Sequence, residues 1–277
     1  MDQQSPINEE ELLSWYRDAG VDVCLEDAPV DRFSVSVSQV EQSPPSRAKA
    51  IHSQKTETPA KAAIQQKATV PDSATIERAR ELVDSCDTLE SLKQAVESFD
   101  GCNLKFSARS TVFADGNPEA KLMVIGEAPG RDEDMQGLPF VGRSGALLDR
   151  MLGAIGLDRS QVYISNILPW RPPGNRAPTP METEICRPFV ERHIELAAPD
   201  LLLLVGGSSA KTLMKTDKGI LSLRGRWTEV DINGKSFAAM PSLHPAYLLR
   251  QPLQKRHAWQ DLLAVAAKIE ELSTIEK

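Results

Sequence analysis

Cysteine is scarce and scattered. Cys24, Cys86, Cys102 and Cys186 are the four in 277 residues, and no two stand close together. This excludes the disulfide framework of a small secreted domain and implies a reducing, cytoplasmic compartment. Long apolar runs are missing too: Leu201-Leu202-Leu203-Leu204-Val205 has strand length, far short of the ~20 residues of a membrane helix. The opening MDQQSPINEEELL is acidic and polar, with no basic-then-apolar leader. Several catalytic signatures are also absent. There is no G-x-x-x-x-G-K-S/T, and Gly126-Glu127-Ala128-Pro129-Gly130 does not fit G-x-G-x-x-G, so neither nucleotide cradle is present. The four histidines (His52, His193, His244, His257) and four cysteines form no H-E-x-x-H or C-x-x-C, so no metal site is expected. Gly142-Arg143-Ser144-Gly145 has the wrong spacing for a serine-hydrolase elbow.

At 41% hydrophobic residues, the chain can bury a substantial core. Its net charge of −7 is unevenly distributed: residues 1–100 carry 10 basic and 19 acidic side chains, and residues 101–277 carry 22 and 20. Acidity confined to the first third leaves room for a nucleic-acid site in the remainder.

Three regions follow from the patterning. Residues 1–35 include EEELLSWYRDAG, a short helical stretch with Leu12, Leu13, Trp15 and Tyr16 that ends at Gly20. Residues 36–73 are rich in Ala, Lys, Gln, Ser, Thr and Pro, a flexible-linker composition that cannot bury enough apolar surface to order itself. Residues 74–277 form the expected catalytic domain. SATIERARELVDSC and LESLKQAVESF there show helical periodicity. Four short apolar runs follow, Leu122–Ile125, Val162–Ile167, Leu201–Val205 and Phe237–Met240, with GALLDRMLGAIG and METEICRPFVERHIELAA as helices between the first three. Strands alternating with helices predict a three-layer α/β/α domain around a central four-stranded, mostly parallel sheet.

In such sheets ligands bind beyond the carboxyl ends of the strands. The four runs lead into GEAPG, Asn166, Gly206-Gly207-Ser208 and Ser242-Leu243-His244-Pro245, so four distinctive strand ends are expected to meet at one site.

The blocks GEAPG-x-x-E-D, GLPFVGRSG, SNILPWRPPGNRAPTP and HPAYLLR, in this order and spacing, resemble the uracil-DNA glycosylases, specifically the family 4 branch. The resemblance runs from about Phe99 to the C-terminus. It implies a glycosylase that hydrolyses the N-glycosidic bond of uracil in single- or double-stranded DNA. It also implies a pocket wall and water site at Gly126, Glu127 and Ala128, a stacking aromatic at Phe140, a uracil-reading amide at Asn166 and an imidazole near uracil O2 at His244. Tyr247, Leu248 and Arg250 fall in the loop that enters the minor groove. Arg171 and Arg176, flanking the Pro-Pro-Gly-Asn turn, and Lys211, Arg224 and Arg226, in a basic segment with the single acid Asp217, suit a phosphate-contacting rim.

The chemistry of these residue types agrees. A base inside a duplex must be flipped out and read on its pairing edge. An Asn amide sets donor and acceptor side by side, matching uracil O4 and N3–H but not cytosine. A His donor at O2 would stabilise the negative charge that builds on the leaving base. In the superfamily's best-known branch an aspartate orients water; here Ala128 stands at that position, leaving Glu127 and Glu133 as nearby carboxylates, of which Glu133 is the preferred candidate. The competing reading is a damaged-DNA binding or scaffold protein that retains the pocket. Family 4 members typically hold an iron–sulfur cluster on four cysteines. Phe99 and Trp170 stand at two of those positions and Cys102 and Cys186 at the others, so no cluster is expected. The partner expected from the resemblance is DNA; the lack of long apolar runs predicts no membrane association, a monomer is expected, and the N-terminal helix is left as a candidate site for a protein partner.

Overall fold

The four apolar runs form four parallel strands whose side chains are buried on both faces. The computed structural model describes residues 73–275, within the second of the two units into which the chain divides, Gln66–Lys277. The N-terminal helix read at Glu9–Gly20 and nearly all of the linker lie outside the described residues. The strands are β1 (Asp115–Gly116), β2 (Leu122–Gly126), β3 (Val162–Asn166), β4 (Leu201–Val205), β5 (Thr228–Ile232) and β6 (Lys235–Ser242). They form one sheet in the order β1-β3-β2-β4-β6-β5. The inner four, β3, β2, β4 and β6, are parallel, and β1 and β5 add antiparallel edges.

The sheet therefore has six strands where four were expected. β5 joins β6 through a tight turn at Asn233 and Gly234, both in the left-handed region. Asn-Gly is the strongest short hairpin signal, because those residues tolerate the positive φ that a twist-matched turn needs. β1 is two residues long and carries no periodicity to read.

The helices are α1 (Ser73–Asp84), α2 (Leu89–Ser98), α3 (Leu104–Ser107), α4 (Arg131–Gln136), α5 (Arg143–Gly153), α6 (Pro180–Ala197), α7 (Gly207–Met214), α8 (Ile220–Leu223), α9 (Pro245–Arg250) and α10 (Lys255–Ile275). Successive strand residues point to opposite faces, so the sheet feeds two cores. Met123, Ile125, Tyr163, Leu202 and Leu204 pack with Ala79 and Val83 of α1, Leu92 and Val96 of α2, and Phe189 and Ile194 of α6. Leu122, Val124, Ile164, Leu201 and Leu203 pack with Leu148 and Leu152 of α5 and Leu262 and Val265 of α10. Near-continuous apolar strands are the mark of a parallel sheet covered on both faces. The three-layer arrangement follows from that.

Local signals set the start of α6, whose Glu182 holds Arg176. Thr179 caps α6 by accepting from the Glu182 amide at 3.2 Å, while Glu182 accepts from the Thr179 amide at 2.8 Å. Pro180 opens the helix, where a missing amide hydrogen costs nothing. Register does the rest. Gly126 pairs with Asn166 and Val205 with Ser242, so the carboxyl ends of the inner strands finish level with one another.

Candidate active site

An open cleft of about 800 Å³ lies at those strand ends. Its lining includes Glu127 and Ala128 after β2, Phe140 before α5, Asn166 at the end of β3, Gly206 after β4 and His244 after β6. Residues far apart in sequence thus meet where the strand ends predict.

Gly126 sets the spacing. A Cβ there would lie 2.4 Å from Asn166 Oδ1 and 2.6 Å from the Phe140 ring, so only glycine lets the strand end, amide and aromatic ring share this corner. Asn166 is buried and its amide makes no hydrogen bond to any described residue, which leaves donor and acceptor free for a ligand. Its polar atoms open onto the cleft, where solvent or a ligand can reach them. Phe140 stacks on His244 with ring centroids 5.6 Å apart and planes 28° from parallel.

His244 is held in one tautomer. Its Nδ1 accepts from the Ala246 amide at 3.1 Å, so the proton of the neutral ring sits on Nε2. Burial, helped by the Arg250 charge, pushes its pKa down to about 4, keeping the imidazole neutral at physiological pH.

The two candidate carboxylates separate clearly. Glu133 accepts three backbone amides: Gly130 at 3.1 Å, Val141 at 3.1 Å and Gly142 at 3.0 Å. With its oxygens so occupied it ties the β2–α4 turn to the loop carrying Phe140, a structural position rather than that of a free base. Glu127 accepts the Leu168 amide on its backbone carbonyl at 3.1 Å, but its carboxylate makes no hydrogen bond or ion pair with any described residue, and burial raises its pKa. Of the two candidates it is the one whose carboxylate remains available to the cleft; Asp132 also lines the cleft but is exposed.

The expected rim is only partly assembled. Arg176, Tyr247 and Arg250 line the cleft; Arg171, Lys211 and Arg226 do not. Arg176 forms a two-pronged pair with Glu182, at 2.8 and 2.6 Å, which raises its pKa and lowers that of Glu182. Arg224 differs from its expected role: it is ion-paired with fully buried Asp261 and donates to the His257 carbonyl at 2.6 Å, anchoring α10. Leu248 differs as well. It is 1% exposed in the α5–α10 core, and its neighbour Leu249 lines the cleft instead. The residues missed were Leu249, Arg131 and Arg143. Both arginines are exposed at the mouth without a described ion-pair partner. Their signal was available, since Arg131 directly follows GEAPG and Arg143 directly follows GLPFVG.

The four positions discussed for a cluster lie together in one core. Phe99 and Trp170 are each 1% exposed, and Cys102 and Cys186 are fully buried. Phe99 meets Phe189 edge-on at 5.0 Å, and Trp170 Nε1 donates to Thr111 Oγ1 at 3.0 Å. The neighbouring Cys186 thiol lowers the pKa of Cys102, and Cys102 together with burial raises that of Cys186. Two thiols beside two packed aromatic rings do not fit a cluster that needs four thiolates.

Comparison with known proteins agrees with this geometry. Residues 113–263 match the model of the uracil DNA glycosylase superfamily. The chain is a member of that superfamily and falls in its type-4 branch. It is 37% identical over 170 residues to a type-4 uracil-DNA glycosylase of Archaeoglobus fulgidus, covering 60% of this chain and 85% of the relative. It is 35% identical over 196 residues to the Sulfurisphaera tokodaii protein of the same name, covering 69% and 87%. For the one from Thermotoga maritima it is 35% over 165 residues, covering 59% and 84%.

Proposed function

We propose that residues 74–277 excise uracil from DNA by hydrolysing its N-glycosidic bond after flipping the nucleotide into the strand-end cleft. The observation that carries this is the convergence of an unpartnered Asn amide, an aromatic ring and a neutral His donor around one corner of that cleft.

In this reading the flipped base stacks on Phe140. The Asn166 amide donates to O4 and accepts from N3–H, while cytosine in the same pose would leave both sides mismatched. As the bond breaks, negative charge moves onto the base, and the His244 Nε2–H group is the donor for O2. A neutral ring with its proton fixed on Nε2 supplies that hydrogen bond without needing to be charged. Glu127, rather than Glu133, orients water or stabilises the cationic sugar. Ala128 and Gly126 complete the pocket wall. Tyr247, Leu249 and Arg250 face the duplex, and Arg131, Arg143 and Arg176 meet phosphates at the mouth. A free Glu127 carboxylate favours catalysis over a binding-only role.

No iron–sulfur cluster is needed: Phe99 and Trp170 fill that core with apolar packing. We further propose that the protein acts as a monomer and that residues 1–73, which hold none of the site residues, are separable from excision and free to engage a protein partner. Among the described residues no helix is long and apolar enough to cross a membrane. The test is release of free uracil from uracil-containing oligonucleotides, single- and double-stranded, by the full chain. Release that leaves alkali-labile strands is expected, and retention of the base on a bound oligonucleotide would overturn the proposal.

A further inference from the structure

Phe140 occupies a backbone conformation that a bulky side chain rarely adopts, with φ at +53°. Residues in that region persist only when their surroundings over-determine them. Here the surroundings are specific. Arg159, on the short turn Arg159–Gln161 that leads into β3, donates from Nη1 to the Pro139 carbonyl at 3.2 Å and from Nη2 to the Phe140 carbonyl. The same guanidinium is anchored by Asp115 on β1 at 2.5 Å and by Asp149 on α5 at 2.8 Å.

The Phe140 carbonyl is closed in from the other side as well. A Cβ on Gly145 would lie 1.7 Å from its oxygen, so α5 packs directly against that peptide. One residue further on, Glu133 takes the amides of Val141 and Gly142. The loop is thus gripped by its carbonyls on one flank and by its amides on the other. Arg159 itself does not line the cleft.

We propose that Arg159 is a positioning residue for base capture: it holds Phe140 in its left-handed conformation, and so fixes the ring on which the flipped base stacks and which packs on His244. The inference rests on the reading of Phe140 as the stacking platform. Only arginine meets the requirement, because one planar fork must serve two carbonyls and two carboxylates at once. Lysine keeps the charge for Asp115 and Asp149 but cannot reach four acceptors in a plane.

The test is a double-mutant cycle on the full chain: wild type, Arg159→Lys, Phe140→Ala and the double variant, with thermal melting recorded for each. Single-turnover uracil excision is measured, and binding to an oligonucleotide that already carries an abasic site serves as the control. Arg159→Lys is expected to slow excision about ten- to a hundredfold while leaving abasic-site binding unchanged, since no base is there to stack. In the Phe140→Ala background the same change should add less than about twofold, as expected when one residue acts through the other. Should Arg159→Lys fail to fold, Arg159→Gln takes its place in the cycle. Equal slowing in both backgrounds, or wild-type excision by Arg159→Lys, would overturn the inference. Equal excision by wild type and Phe140→Ala is a distinguishable result that removes the platform reading, and the inference with it.

Discussion

Replacing Glu133 with Gln separates a structural from a chemical role for the carboxylate that sequence reasoning favoured. In the native protein Oε2 accepts from Gly130, and Oε1 from both Val141 and Gly142. A glutamine offers one oxygen and one NH₂ group. If its oxygen turns to Val141 and Gly142, the Gly130 amide faces another donor; if it turns to Gly130, two amides do. At least one half-buried amide is left facing a donor, costing about 1 kcal/mol. The bonds that survive lose their charge assistance, which adds about 1 kcal/mol. For a unit of roughly 200 residues each kcal/mol moves the melting temperature by about 2–4 °C, so a clear drop is expected. Excision should fall with it, because the loop that carries Phe140 loosens. Thermal melting and single-turnover excision on Glu133→Gln measure both. A variant that melts like wild type yet has lost excision would refute the clamp and restore Glu133 as a reacting group.

Three further outcomes follow from the geometry. Trp170→Ala empties a buried aromatic site and should cost roughly 3–5 kcal/mol, seen as a lower denaturation midpoint; metal chelators should change neither folding nor activity, and stoichiometric iron in purified protein would contradict the packing account. Leu248→Ala should lose about 2–5 kcal/mol of stability, whereas Leu249→Ala should leave melting intact and weaken DNA binding; the reverse pattern would restore Leu248 to the interface. The pH dependence has a defined sign: burial raises Glu127, so the acid limb of excision should be displaced upward from that of a solvent-exposed carboxylate and vanish in Glu127→Gln. Imidazole NMR should show His244 neutral, with its proton on Nε2, down to about pH 4. A ring titrating near its ordinary value would refute the buried, neutral state, and a neutral ring carrying its proton on Nδ1 would refute the tautomer assignment.

Much of the site was legible because it depends on strand ends. Gly126, Asn166 and His244 follow apolar runs, and parallel register brings such ends level whatever the intervening helices contain. Phe140 needed the surrounding Gly-Leu-Pro-Phe-Val-Gly block, since one aromatic residue alone more often packs a core. The hairpin of β5 and β6 was legible in the sequence: Asn233-Gly234 supplies the turn signal, and β5 alternates as Glu229-Val230-Asp231-Ile232 with Val230 and Ile232 buried, a pattern of only two apolar residues. Leu248 and Leu249 could not be told apart, because a one-residue rotation on a short helix is settled by what α5 and α10 present to it. The role of Glu133 lay beyond sequence patterning for a related reason: its amide partners are up to nine residues away and are brought to it by a turn. Arg224 looked like a surface cation until Asp261, 37 residues later, was folded against it.

The central claim, that one buried amide selects uracil for excision in this cleft, is tested most directly by Asn166→Asp. A carboxylate cannot donate to O4, and its charge opposes the anion forming on the departing base. Single-turnover release of uracil from a double-stranded oligonucleotide should therefore fall by about two orders of magnitude or more, with binding to undamaged DNA retained. Undiminished uracil release by Asn166→Asp would contradict the account.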